Sequence, residues 1–144
     1  MKHKHTDNGT FLNLAATKYW KQATSNISEK AQIGDGCVIH SHVSIHDEVI
    51  IGDGCKIEAG VYIPNGVTIE DFVFIGPHVV FTNDPTLIDG PWTPTPTLVK
   101  EKARIGANAS IRAGVTIGKE ARIGFGRLGS FLFPSPSLQP SLAI

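Results

Sequence analysis

The sequence lacks an excess of charge of either sign, because thirteen Lys and Arg residues balance thirteen Asp and Glu residues over its 144 positions. A nucleic-acid-binding domain usually carries a clustered basic surface, so the balance of charge disfavours that class of protein. No apolar run approaches the roughly 18 residues that a membrane-spanning helix needs. Residues 1–16 also lack the apolar segment of a signal peptide. We therefore expect neither a nucleic-acid partner nor a membrane span.

Cysteine is scarce, since the chain holds only Cys37 and Cys55. Small secreted domains that depend on disulfides carry more cysteines in a shorter chain. Two thiols do not make such a framework, and no secretion signal accompanies them. We therefore expect a cytoplasmic protein in which both cysteines are reduced.

Isoleucine recurs every six residues through most of the chain. Thirteen of the sixteen isoleucines share one register, which begins at Ile27 and resumes after an interruption that follows Phe81. The residue two positions before each isoleucine is small or β-branched, so both positions face inward on a short strand. Dipeptides such as Asp35-Gly36 and Asn65-Gly66 lie between the strands and suit a tight corner that needs positive φ.

A strand and a corner every six residues predict an all-β solenoid with strands stacked about 4.8 Å apart. We assign the solenoid to residues 27–128, after a tail and N-terminal cap over 1–26 and before an atypical uncharged tail over 129–144. Residues 87–98 interrupt the repeat with a proline-rich insertion, which we expect to protrude as a loop. Long loops on a regular scaffold are common places for function.

The hexads over about residues 27–126 resemble those of the hexapeptide-repeat acyltransferases. The segment Gly-Pro-His-Val-Val-Phe-Thr-Asn-Asp over 76–84, and the segment over 105–118, resemble one subgroup, the nucleotide-sugar N-acetyltransferases. The resemblance implies a left-handed parallel β-helix with three hexads a turn, so that fifteen hexads give about five coils. It also implies a homotrimer that binds acetyl-CoA between neighbouring solenoids and acetylates a nucleotide-linked amino sugar.

The reaction that this resemblance implies is attack of a sugar amine on a thioester carbonyl. It needs a group that accepts or orients the amine proton, and donors for the oxyanion. His78 is the candidate proton acceptor, because histidine ordinarily titrates near neutrality. The Asn83 carboxamide can donate to the carbonyl oxygen or accept from the amine, and Asp84 could orient the amine. The alternative is that these corner residues bond only to local backbone.

The later coils supply the candidate cofactor contacts. Backbone groups at Gly106-Ala107 and Ala113-Gly114 are candidate partners for the pantetheine amides of acetyl-CoA, because small corner residues allow close approach. Arg112 and Lys102 are candidate phosphate contacts, with solvated surface charge as the alternative. No metal is expected.

Most outward-facing strand residues are polar, but two adjoining faces carry apolar ones. Val38 and Phe74 share one face, and Tyr62 and Val80 share the next. An apolar patch across two faces of a solenoid is a candidate contact surface between subunits.

Three other functions remain open. A γ-carbonic-anhydrase-like metal protein would need three histidines, but His42 and His78 lie two coils, or roughly 9.6 Å, apart. A sugar or xenobiotic O-acetyltransferase would carry a catalytic histidine before the loop, where this chain has Asn83-Asp84-Pro85. A non-catalytic scaffold is the third alternative, because the tail over 129–144 departs from the family's pattern.

Overall fold

The computed structural model describes residues 9–14, 17–126 and 128–129. These residues form β-strands joined by tight corners, with no helix among them and therefore none that could cross a membrane. The predicted tail over 129–144 lies almost wholly outside the described residues. The strands are β1 (Gly9–Leu14), β2 (Thr17–Gln22), β3 (Asn26–Ile27), β4 (Gln32–Ile33), β5 (Val38–Ile39), β6 (Ser44–Ile45), β7 (Ile50–Ile51), β8 (Lys56–Ile57), β9 (Tyr62–Ile63), β10 (Val67–Ile69), β11 (Phe74–Ile75), β12 (Val80–Phe81), β13 (Thr97–Val99), β14 (Arg104–Ile105), β15 (Ser110–Ile111), β16 (Thr116–Ile117), β17 (Arg122–Ile123) and β18 (Leu128–Gly129).

Every third strand joins the same parallel sheet, so three sheets form the faces of a prism. Sheet A contains β2, β5, β8, β11, β14 and β17; sheet B runs from β3 to β18 and sheet C from β4 to β16. Val38 pairs with Lys56, eighteen residues on, which confirms three hexads a turn. Phe74 pairs with Arg104, thirty residues on, so the insertion adds twelve residues without changing the register. The parallel β-solenoid is thus confirmed, while its left-handedness stays a prediction from the resemblance.

The solenoid has about six turns, and our expectation of about five was wrong. Strand β2 extends sheet A at one end, where Lys21 pairs with Ile39, and β18 extends sheet B at the other, where Gly129 pairs with Ile111. Neither added strand carries isoleucine at the paired position, so counting isoleucines missed both. Strand β1 folds back on β2 as an antiparallel hairpin and covers that edge of sheet A.

The isoleucine column forms the core. Its members from Ile39 to Ile117 are at most 2 % exposed, and the small or β-branched residues two positions earlier are buried beside them. Complete burial of one such side chain contributes about 1.5–3 kcal/mol relative to leaving it exposed. The inward orientation predicted from the hexad is therefore confirmed.

Cys37 and Cys55 are free thiols, buried in adjacent coils of the core. The Cys37 thiol donates to Gly52 O at 3.0 Å and the Cys55 thiol donates to Glu70 O at 3.1 Å. The neighbouring Cys55 thiol and burial raise the pKa of Cys37 above its ordinary value. Cys37 therefore packs as a small, uncharged, unreactive group.

Candidate functional site

The candidate catalytic residues lie on two corners of the prism, on opposite sides of sheet B. His78 ends the turn that leads into β12, and Asn83 follows that strand. Five residues of extended chain span roughly 15 Å, so one chain does not bring these two side chains together. The A–B corner is formed by Ser41-His42, Ala59-Gly60, Pro77-His78, Ala107-Asn108 and Phe125-Gly126; the B–C corner is formed by Asp47-Glu48, Asn65-Gly66, Asn83 with the loop, and Ala113-Gly114.

His78 presents its imidazole to solvent on the A–B corner. Its backbone has a φ of 58°, and its amide donates to Ala59 O at 2.9 Å. The ring lies over Gly60 of the preceding coil, where an added Cβ would come within 2.4 Å of His78 Nδ1. Glycine at position 60 therefore makes room for the ring, and the exposed imidazole is open to a ligand outside the corner.

Asn83 is held at the base of the loop by both its backbone and its side chain. Its carbonyl oxygen accepts a hydrogen bond from Thr95 N at 3.0 Å. Its Nδ2 donates to Asn65 Oδ1 at 2.6 Å and lies 3.3 Å from Asn65 O. Its Oδ1 accepts no hydrogen bond from any residue that the structure describes, and this oxygen is the open polar atom of the carboxamide.

Asp84 closes the first turn of the loop. Its Oδ1 accepts hydrogen bonds from the Thr86 amide at 2.8 Å, from the Thr86 hydroxyl at 2.7 Å and from Leu87 N at 3.2 Å. The Thr86 hydroxyl and then the Thr86 amide lower the pKa of Asp84 below its ordinary value. One carboxylate oxygen therefore has a local structural role, and a contact of Asp84 with the substrate amine stays a prediction.

The loop returns to the solenoid over two glycines of the B–C corner. An added Cβ at Gly66 would come within 3.0 Å of Pro94 Cβ, and one at Gly114 within 3.0 Å of Thr95 Cγ2. Both glycines also have positive φ. Their small size lets the returning chain pack against the corner, which fixes the base of the loop beside Asn83. Leu87, Ile88 and Trp92 project from the loop and are at least half exposed.

The candidate cofactor residues have most of their backbone donors occupied. Gly106 N donates to Ile123 O at 2.8 Å, Ala113 N to Thr82 Oγ1 at 3.0 Å and Gly114 N to Thr97 Oγ1 at 3.1 Å. Ala107 N donates to no residue within the described part of the chain. A backbone donor to pantetheine would therefore come from Ala107, and residues 106, 113 and 114 could offer carbonyl oxygens.

The two candidate phosphate contacts already have protein partners. Arg112 Nη2 donates to Pro85 O at 3.1 Å, which ties the arginine to the start of the loop. Lys102 Nζ lies 3.3 Å from Glu101 Oε1. Both side chains are exposed, and their roles toward phosphate stay predictions.

Sequence reasoning missed Thr82 and Thr97 and treated Asn65 only as a corner residue. Thr82 Oγ1 donates to Ile111 O at 3.3 Å and accepts from Ala113 N, so it joins β12 to the corner of the next coil. The available signal was the eighteen-residue spacing of Asn65 and Asn83, which stacks two asparagines on one corner.

Within the ranges that the structure describes, no group of three or more His, Cys, Asp or Glu side chains could hold a metal ion.

Two family models match the chain. The model described as bacterial transferase hexapeptide (six repeats) matches residues 48–83. The model described as hexapeptide repeat of succinyl-transferase matches residues 31–64 and 99–126. Together they cover more than half of the chain, which belongs to the hexapeptide-repeat family. No curated protein sequence matches it.

Solved structures share the fold. The chain is 21 % identical to a variant of GDP-perosamine N-acetyltransferase from Caulobacter crescentus, in complex with CoA and GDP-perosamine, with a TM-score of 0.70 over 81 % of this chain and 50 % of that one. It is also 21 % identical to the acetyltransferase domain of PglB from Neisseria gonorrhoeae, in complex with acetyl-CoA, with a TM-score of 0.70 over 81 % of this chain and 51 % of that one. The chain thus spans about half the length of these proteins, and the likeness establishes the fold.

The double hydrogen bond of the Thr82 hydroxyl makes a testable contribution to stability. Thr82→Val keeps the side-chain shape but leaves the buried Ala113 N–H without its acceptor. We expect a loss of about 1–3 kcal/mol in the free energy of unfolding, measured by urea denaturation at fixed protein concentration. Thr116→Val is the matched control, since the Thr116 hydroxyl bonds to no described residue. An equal loss of unfolding free energy in both variants would contradict a stabilising role for the Thr82 hydroxyl.

Proposed function

We propose that this protein is an acetyl-CoA-dependent N-acetyltransferase that acts on an amino sugar linked to a nucleotide. The observation that carries the proposal is the open carboxamide oxygen of Asn83, held at the base of a loop that leaves a hexapeptide-repeat solenoid. The family's transferase description and the ligands of the two similar structures support it. We also propose that the protein is cytoplasmic, as the sequence suggests.

The chemistry forms a C–N bond and breaks a C–S bond. The amine attacks the thioester carbonyl, a tetrahedral oxyanion forms, and its collapse releases the CoA thiolate. The amine proton passes to His78 or to the departing sulfur. An acceptor such as Asn83 Oδ1 orients the amine by accepting a hydrogen bond from one of its N–H groups, and the nitrogen lone pair then stays free for attack.

A homotrimer would bring the two corners together. His78 and Asn83 lie on opposite sides of sheet B in one chain, so a site that uses both requires two chains. Sheets A and B, which flank His78, also carry the apolar outward residues: Phe74 is half-buried, and Tyr62 and Val80 are 38 % and 39 % exposed. We therefore propose that these two faces form the contacts between subunits.

The first test is binding and turnover. We expect calorimetry to show acetyl-CoA binding, and the protein to acetylate members of a panel of nucleotide-linked amino sugars. Release of CoA can be followed with a thiol reagent, because both native cysteines are buried. Sugars with a hydroxyl in place of the amine are the matched controls. Preference for those sugars would favour an O-acetyltransferase, and no binding at millimolar acetyl-CoA would favour a scaffold.

The second test separates the roles of the two candidate catalytic residues. If Asn83 contacts the reacting carbonyl or the amine, Asn83→Ala should lower kcat/KM by about 10²–10³-fold, the cost typical of losing one oxyanion-type donor. If His78 is the base, His78→Ala should lower it by about 10²–10⁴-fold and remove the acid limb of the pH profile. If His78→Ala leaves kcat unchanged and the acid limb follows the pKa of the substrate amine, His78 is not the base. His78→Ala should keep the wild-type melting temperature, whereas Asn83→Ala also loses the hydrogen bonds to Asn65 and should melt slightly lower.

The third test concerns assembly. Phe74→Glu should convert the trimer to a monomer, measured by light scattering at micromolar concentration, because it places a charge in an apolar contact. Lys56 and Arg104 flank the Phe74 ring at 5.9 and 5.8 Å, so an isolated chain should tolerate the glutamate. Ile50→Lys on sheet C is the control, since Ile50 is 42 % exposed and shares a surface recess with Glu70 and Asp71. A wild-type monomer would refute the shared site.

A further inference from the structure

Asn65 occupies the B–C corner one coil before Asn83, and the two side chains are in direct contact. Asn83 Nδ2 lies 2.6 Å from Asn65 Oδ1 and 3.3 Å from Asn65 O. Both residues are half-buried. The contact therefore links the candidate catalytic carboxamide to a residue that sequence reasoning gave no role in the reaction.

The chemistry of the contact fixes which way each carboxamide points. A backbone carbonyl oxygen can only accept a hydrogen bond, so the Asn83 group that faces Asn65 O must be the amino group. That amino group also needs an acceptor at Asn65, so the side-chain atom of Asn65 that faces it must be Oδ1. Reversing either carboxamide would place two donors or two acceptors against each other.

We infer that Asn65 is a positioning residue, which holds Asn83 so that its Oδ1 faces outward and accepts a hydrogen bond from the substrate amine. This inference rests on the proposed function and deepens it. Sequence reasoning left two roles open for Asn83, as donor to the oxyanion or as acceptor from the amine. Asn65 accepts the hydrogen bonds of the Asn83 amino group, so Asn83 Oδ1 is left to accept a hydrogen bond from the amine. Donors other than Asn83 must then stabilise the oxyanion.

The surrounding backbone fixes the position of Asn83 but not the orientation of its carboxamide. Thr95 N donates to Asn83 O at 3.0 Å, and Thr97 N donates to Gly66 O at 2.9 Å. The returning chain is therefore hydrogen-bonded to two successive coils at this corner. The backbone bonds fix the position of the Asn83 Cα, but they leave the terminal torsion of its carboxamide free. This torsion is intrinsically broad in asparagine, so Asn65 supplies the constraint that selects one orientation.

The test compares two substitutions at position 65 with a control at the same corner. Asn65→Asp keeps an acceptor for Asn83 Nδ2, so kcat should stay within about threefold of wild type. Asn65→Ala removes the side-chain acceptor, and we expect kcat to fall about tenfold or more with the KM for acetyl-CoA unchanged. Asp47→Ala is the control, because Asp47 holds the equivalent place one coil earlier and bonds to Ser28 and Lys30. It should keep the wild-type kcat.

A double-mutant cycle separates positioning from a structural role. In an Asn83→Ala background, Asn65→Ala should have no further effect on kcat, because the group that it positions is gone. Additive losses, or an Asn65→Ala variant with wild-type kcat, would overturn the inference. Failure of the proposed function is recognised separately, as absence of N-acetyl transfer by the wild-type protein. In that case the side-chain amide protons of Asn83, followed by ¹⁵N NMR, should still exchange with solvent faster in Asn65→Ala than in the wild-type protein, and unchanged exchange would refute the pairing itself.

Discussion

Parallel backbone pairing between strands eighteen residues apart is the constraint on which the rest of this structure depends. Most strands contain only two residues, too few to be stable alone, but each contributes amides and carbonyls to ladders that run the length of the prism. Tyr62 N bonds to Val79 O, for example, as Ser44 N bonds to Val61 O one coil earlier. The inward isoleucines keep this register because a slip of one residue would turn them toward solvent. Stability therefore comes from contacts between neighbouring coils.

The same register determines which side chains can act together. Residues at equivalent places on a corner lie directly above one another, so a corner residue can contact its counterpart in the preceding coil. His78 lies over Gly60, and Asn83 bonds to Asn65. The insertion preserves this stacking because the chain re-enters the solenoid in register, with Phe74 paired to Arg104, and its return over Gly66 and Gly114 makes the loop part of the corner.

The proposed site lies on separate corners, so it would be incomplete within one chain. His78 lies on one side of sheet B and Asn83 on the other, and each is solvent-accessible or half-buried rather than enclosed. A reaction that must exclude water needs a second surface over these groups. The apolar residues on sheets A and B, together with the exposed side chains of the loop, are the surfaces from which a neighbouring chain could form that enclosure.

The sequence by itself determined the all-β solenoid, the six-residue period, the inward column and the place of the loop, because burial imposes a strict periodicity on residue type. Three hexads a turn came from the family resemblance, and the pairing of Val38 with Lys56 confirmed it. It did not determine the coil count, since Lys21 and Gly129 continue the pairing without isoleucine. Only the tertiary structure decided how the polar atoms of the site are used. The bonds of Asn83 to Asn65, of Asp84 to Thr86 and of Arg112 to Pro85 depend on where a non-periodic loop leaves and re-enters the solenoid. Such hydrogen bonds follow from distances between atoms, and residue spacing along the chain does not fix those distances.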